Sequence, residues 1–194
     1  MLEFADIIGI VAFAISGFIV GARERLDILG ITISAFLTAL GGGVIRDVIA
    51  NKPIYAFTDL TPGIVVTFVI ILGVYLKLHR YDFEKKSFFI ISDSIGLVSF
   101  SISGALVGLE AGFNIFGVVM LSIITAVGGG MIRDVLINKI PFVLKENFYA
   151  TVSVFVALLV FFFGKNDFCL IVIFTVGFFL RLIAYKKSWN LPKI

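Results

Sequence analysis

The sequence predicts an all-α integral membrane protein of seven transmembrane helices, two inverted three-helix repeats plus a seventh helix. Three observations carry this. Hydrophobic residues make up 60% of the 194 residues and charged residues 15%, against roughly 45–50% and 25% in a soluble domain. Seven apolar runs approach or exceed the about 20 residues that a helix needs to cross the hydrocarbon core. A block of sequence also returns once, 87 residues on: Asp6 becomes Asp93.

The first run, Ala5 to Ala22, has no basic residue before Arg23. It therefore lacks the basic start of a cleaved signal peptide and reads as a retained helix. The second, Asp27 to Ala50, closes at Asn51-Lys52-Pro53, and the third covers Pro62 to Leu78. A polar loop from His79 to Lys86 leads to the fourth, Phe88 to Leu109, and Glu110 to Gly112 to the fifth, Asn114 to Ile137. The sixth, Phe148 to Gly164, follows a polar stretch from Asn138, and Lys165-Asn166-Asp167 introduces the seventh, Phe168 to Tyr185. The strands of a membrane barrel would be about ten residues long and strictly alternating, whereas these runs are unbroken.

The repeat carries Asp6 to Gly17 onto Asp93 to Gly104, Thr38 to Val48 onto Thr125 to Val135, and Asn51-Lys52 onto Asn138-Lys139, with no gap. Repeat one covers about 1–86, repeat two about 87–165, and the appended helix about 166–187 of a single membrane domain. Three spans are an odd number, so the second copy enters from the opposite side, as in transporters and channels whose pathway lies at the repeat interface.

With seven spans, the N-terminus shares a side with Lys52, Lys165 and Arg46. The other side holds Arg23, Arg25, Lys77, Arg80, Lys85, Lys86, Arg133, Lys139, Lys145, Arg181, Lys186, Lys187 and Lys193. Basic residues mark the cytoplasmic side. The expected location is the cell (inner) membrane, with the N-terminus outside and the C-terminus cytoplasmic. The basic loops also favour anionic membrane lipids.

Gly41, Gly42, Gly43 and Gly128, Gly129, Gly130 lie inside the second and fifth runs. An interior glycine disfavours helix by about 1 kcal/mol relative to Ala. A broken helix survives in a bilayer only where protein or a water-filled cavity satisfies its backbone. The triplets are expected to kink or unwind their helices at a pathway for ion or solute. The alternative is close helix packing at small residues.

Arg46-Asp47 and Arg133-Asp134 follow each triplet within a turn. Charges inside a span normally face the bundle interior or a water cavity. Neighbouring residues point about 100° apart on a helix, so neither Arg-Asp pair is expected to be self-contained. Asp6 and Asp93 open the first and fourth runs on the sides where the second and fifth end. This predicts the pairs Arg46–Asp6 and Arg133–Asp93, as helix locks, pathway groups or both. Ser16, Ser103, Thr38 and Thr125 recur symmetrically and are candidate pathway hydroxyls, against back-bonding to their own helices. Phe13 and Phe100 are candidates for a hydrophobic constriction, against core packing.

His79 and Cys169 are the single histidine and cysteine, which leaves no His- or Cys-based catalytic or structural metal site. The glycine triplets lack the Gly-Lys-Ser/Thr ending of a phosphate loop. No enzyme, no cofactor and no nucleic-acid partner is expected.

The paired Gly-Gly-Gly-x-x-Arg-Asp segments in a three-plus-three-plus-one chain resemble the prokaryotic trimeric intracellular cation (TRIC) channel family, also grouped as a bacterial membrane family associated with glycine transport. The resemblance covers nearly the whole chain. It implies a homotrimer with a pore in each protomer, lined by the first, second, fourth and fifth spans, kinked at the glycine triplets and passing monovalent cations, chiefly K+. Transported K+ or Na+ is then the bound species. The leading reading is a passive potassium-permeable channel. The second is a small-solute (glycine) transporter working by alternating access, and the third a scaffold.

Overall fold

A computed structural model describes residues 2–77, 85–145, 148–164 and 166–189. Residues 79–84 of the predicted basic loop, together with Lys165 and Lys193, lie outside them. All regular structure among the described residues is helical: α1 (Leu2–Arg23), α2 (Ile28–Ile49), α3 (Tyr55–Thr58), α4 (Thr61–Tyr75), α5 (Lys85–Glu110), α6 (Ile115–Leu136), α7 (Phe142–Lys145), α8 (Ala150–Phe163) and α9 (Asp167–Lys186).

Each predicted run corresponds to a helix, and local chemistry sets the ends. Asp27 caps α2 by accepting from Gly30 N at 2.7 Å, and Asn114 caps α6 by accepting from Gly117 N at 2.9 Å. Such caps satisfy backbone donors that the first turn leaves orphaned. Past the far ends, Asn51 (φ 51°) and Asn138 (φ 56°) adopt the left-handed conformation that ends helices. Pro62 sits at the start of α4, where a missing N–H costs no helical bond. Five helices, α1, α2, α5, α6 and α9, are long and apolar enough to cross a membrane. α4 and α8 are more apolar still but have only 15 and 14 residues, or about 22 Å and 21 Å at the helical rise.

Packing pairs helices whose sequences correspond at the 87-residue offset. α1 lies against α5 and α2 against α6, with α4 beside α1, α8 beside α5 and α6, and α9 beside α5 and α8. The contacts at the centre are reciprocal. A Cβ on Gly9 would overlap the Phe100 ring, and one on Gly96 would overlap the Phe13 ring. The two rings meet edge to face at 5.2 Å. Each of these contacts is matched by its counterpart 87 residues away in the sequence.

The glycine triplets do not unwind. Both lie in uninterrupted α-helix, so their carbonyls stay in the helical ladder rather than turning out to coordinate an ion. Packing explains them instead. A Cβ on Gly42 would overlap the Thr125 carbonyl oxygen, and one on Gly129 the Thr38 carbonyl oxygen. Gly41 Cα-side space is closed by Gly129, and Gly128 meets Ile45 and Gly42. The first two glycines of each triplet let the α2 and α6 backbones cross in contact, as small residues do in membranes. The third differs: a Cβ on Gly43 or Gly130 would meet only Arg46 or Arg133, at 3.9 and 3.7 Å.

Candidate functional site

Two charged clusters flank the crossing. In the first, Arg46 of α2 is buried and its Nη1 lies 2.6 Å from Asp6 Oδ1 of α1. Arg46 Nη1 also donates to Ser103 Oγ of α5, and Ser103 donates to the same Asp6 oxygen at 2.6 Å. The predicted Arg46–Asp6 pair is therefore present, closed by a hydroxyl from the other repeat. Arg46 Nε also donates to Asp47 Oδ1 at 2.8 Å. Adjacent Arg and Asp thus do meet, because the long Arg side chain curls back across the 100° step, but the pair is not self-contained, since Arg46 also takes Asp6. Asp47 Oδ2 accepts from Tyr55 N at 3.0 Å and so anchors α3. The cluster walls a cavity of about 20 Å³ that Gly43, Tyr55 and Phe100 also line, enough for about one water.

The second cluster repeats only part of this. Arg133 Nε donates to Asp134 Oδ1 at 2.8 Å, and Asp134 Oδ2 accepts from Phe142 N at 2.8 Å, anchoring α7. The predicted Arg133–Asp93 pair does not form. Arg133 Nη1, Asp93 Oδ2 and Ser16 Oγ are buried without hydrogen-bond partners, although their counterparts Arg46, Asp6 and Ser103 bond to one another. The physical reason lies in what surrounds Asp93. The Tyr149 hydroxyl bonds Asp93, and Arg181 of α9 adds a second positive charge beside it. The position of Tyr149 in repeat one is Pro62, which has no hydroxyl to compete. Arg181 is fully buried and stacks over Tyr149 at 4.7 Å and Tyr185 at 5.9 Å. It is not the surface topology charge that its place in the sequence suggests. Arg133 lines two cavities, of about 460 Å³ with Glu24, Ser34 and Asn138, and about 200 Å³ with Arg23, Asp134 and Lys139. The two halves thus differ: bonded and tight at Arg46, open at Arg133.

The threonines belong to the crossings. Thr38 donates to Ser34 O and Thr125 to Leu121 O, each at 2.6 Å. Both pack under a glycine, Gly17 and Gly104, whose Cβ would come within 2.7 Å of the hydroxyl. Phe13 and Phe100 are core side chains, and Phe100 also reaches the wall of the small cavity. No group of three or more His, Cys, Asp or Glu able to hold a metal occurs among the described residues.

This arrangement has counterparts in known proteins. The family described as Glycine transporter matches residues 3–80 and 90–165. The UPF0126 membrane protein YvgT of Bacillus subtilis is 37% identical over 98% of this chain and 95% of its own length. The UPF0126 inner membrane protein YadS of Escherichia coli is 32% identical over 79% of this chain and 74% of its own. A crystal structure of a prokaryotic TRIC channel in 0.5 M KCl superposes with a TM-score of 0.89 at 33% identity, covering 98% of both chains. The structure described for conductance through TRIC cation channels gives 0.86 at 34% identity, over 99% of this chain and 96% of that one. The chain belongs to the TRIC family.

Several contacts of this TRIC protein escape sequence reasoning. Lys52 pairs with Glu110 at 2.6 Å, and Lys139 pairs with Glu24. Each joins the end of one repeat's second helix to the first helix of the other. The short helices α3 and α7 carry a signal in the repeat, since Tyr55 and Phe142 each follow their anchoring Asp by eight residues. Arg181 also has one: a lone Arg inside an apolar run is expected to face the bundle interior.

Proposed function

We propose that this protein is a passive, potassium-permeable monovalent-cation channel with one pathway in each protomer of a homotrimer. The observation that carries it is the likeness, over 98% of both chains, to a prokaryotic TRIC channel. The charged clusters fit the reading. Asp6, Asp47, Asp93 and Asp134 are buried carboxylates placed on both sides of the α2–α6 crossing, where they would attract cations and repel anions. Ser16, Ser103 and the third glycines, Gly43 and Gly130, stand with them on the path, whereas the remaining triplet glycines, Thr38 and Thr125 serve the crossings that would shift during gating. Bending of α2 and α6 at the glycines is the motion we assign to opening.

In this reading α4 and α8 also span, assisted by α3 and α7, and give seven crossings. The two repeats, about 1–86 and 87–165, then enter the bilayer from opposite sides, with α9 appended. The bias of Lys and Arg puts the N-terminus outside and the C-terminus in the cytoplasm of a cell with this protein in its inner membrane.

The test is recording in planar bilayers under a potassium gradient, with Arg133→Ala as the paired variant. Unitary steps reversing near the potassium potential, altered in the variant, support the channel. Silence together with saturable glycine uptake into liposomes overturns it in favour of transport.

A further inference from the structure

The helix outside the repeat, α9, fills a seat whose first-repeat copy is bare. Gly177 is central on the buried face of α9, and a Cβ there would come within 2.8 Å of Val156 on α8 and 3.1 Å of Val98 on α5. The backbone of α9 is therefore seated on these two fully buried valines. Eighty-seven residues earlier stand Val69 and Val11. Both are only half-buried, and both line an open crevice of about 490 Å³ between α4 and α1. Every residue lining the crevice is Val, Ile, Leu, Phe or Gly, so it offers hydrocarbon contact and no side-chain hydrogen bond.

The crevice has one charged end. It runs along α4 from Ile64 to Leu76 and finishes at Phe88. Lys77 follows Leu76 directly and is exposed. Arg23, also exposed, closes α1 at the same end, with its guanidinium 5.5 Å from the ring of Phe89, the neighbour of Phe88. Glu24 beside it is engaged by Lys139. An open apolar slot with Lys77 just past its last α4 residue and Arg23 closing α1 at that same end, where a span meets its loop, matches one occupant. We propose that the α1–α4 crevice binds an acyl chain of an anionic phospholipid, whose phosphate rests on Lys77 and Arg23. The lipid chain takes in repeat one the seat that α9 takes in repeat two.

Native mass spectrometry of the full chain, equilibrated with phosphatidylglycerol and phosphatidylcholine of identical chains, tests this. The expected result is one retained lipid per protomer, with a preference of roughly thirtyfold for phosphatidylglycerol from two cations near an anionic head. Val69→Phe plugs the crevice from within, and Ile64→Trp plugs it from a position that is 63% exposed. Ile64→Trp keeps the test valid where a buried Phe impairs folding. Both should lose the retained lipid, while Arg23→Gln/Lys77→Gln should keep a lipid and lose the headgroup preference. Undiminished retention in both plugged variants overturns the site, and retention blind to headgroup in the parent protein overturns the anionic specificity. An assembled oligomer that retains no lipid and dissociates on Ile64→Trp overturns the proposal in favour of a second copy seated in the crevice.

Discussion

Ser103 Oγ donates to Asp6 Oδ1 at 2.6 Å, although the two residues stand 97 positions apart and in different repeats. The same hydroxyl accepts from Arg46, so three helices, α1, α2 and α5, meet in one buried polar knot. Removing one partner of a buried pair leaves an uncompensated charge and costs roughly 3–5 kcal/mol. Asp6→Asn and Arg46→Gln should each lower unfolding stability in detergent by that order. The double variant should lose clearly less than the two losses combined. Additive losses would show that the pair is not coupled.

The asymmetry between the two clusters gives a sharper comparison. Ser103 and Ser16 are repeat counterparts, but Ser103 is doubly bonded and Ser16 Oγ has no hydrogen-bond partner. Ser103→Ala should cost about 1.5–3 kcal/mol, as for hydrogen bonds to charged groups. If the knot also closes the pathway, it should raise open probability in bilayer recordings. Ser16→Ala removes a buried hydroxyl that has no partner and should leave stability unchanged or raised. Equal effects of the two substitutions would mean that the hydroxyl network does not distinguish the halves.

Position within a glycine triplet decides the effect of a methyl group. At Gly42 and Gly129 it would run into a carbonyl oxygen of the facing helix, so Gly42→Ala and Gly129→Ala should each destabilise by about 1–3 kcal/mol, the usual cost of overpacking. At Gly43 and Gly130 it meets only an Arg side chain near 4 Å. There the better helix propensity of Ala, worth up to about 1 kcal/mol, should leave stability unchanged or raised. Thermal unfolding of the four variants in one detergent checks the order. A loss at Gly43 equal to that at Gly42 would contradict it.

How far the sequence reaches follows from how local each feature is. Helices were legible because their apolar runs and caps are written in consecutive residues, as at Asp27 and Asn114. The Arg46–Asp6 pair was legible because helix ends on one membrane side must meet. Ser103 stands out in the sequence by its recurrence but not as a bridge, because reading by repeat pairs residues within a copy and the bridge crosses between copies. The Arg133–Asp93 pair failed for a related reason. Its rival contacts come from Tyr149, which replaces Pro62, and from Arg181 on the one helix with no repeat counterpart. Helix continuity through the triplets was also hidden. Propensity argues against three glycines in a helix, and tertiary contact with Thr125 and Thr38 overrides it.

The influence of α9 on the second cluster can be measured directly. Asp93 is buried with Arg133 and Arg181 both attracting it, and Tyr149 both bonds Asp93 and carries the Arg181 guanidinium on its ring. Arg181→Met keeps the volume but removes the charge. It should destabilise by about 3–5 kcal/mol, as the loss of one member of a buried charge cluster does. In an Asp93→Asn background the same substitution should cost less, with a coupling of about 0.5–3 kcal/mol typical of residues in one network. Tyr149→Phe separates the two contributions of the tyrosine, since it keeps the ring under Arg181 and deletes only the bond to Asp93. Its cost should fall near that of one hydrogen bond to a charged group, about 1.5–3 kcal/mol, and should drop toward that of a neutral one, about 0.5–1.5 kcal/mol, once Asp93 is Asn. Zero coupling between positions 93 and 181 would reduce Arg181 to an anchor for α9. The openness of the Arg133 cluster would then not depend on α9.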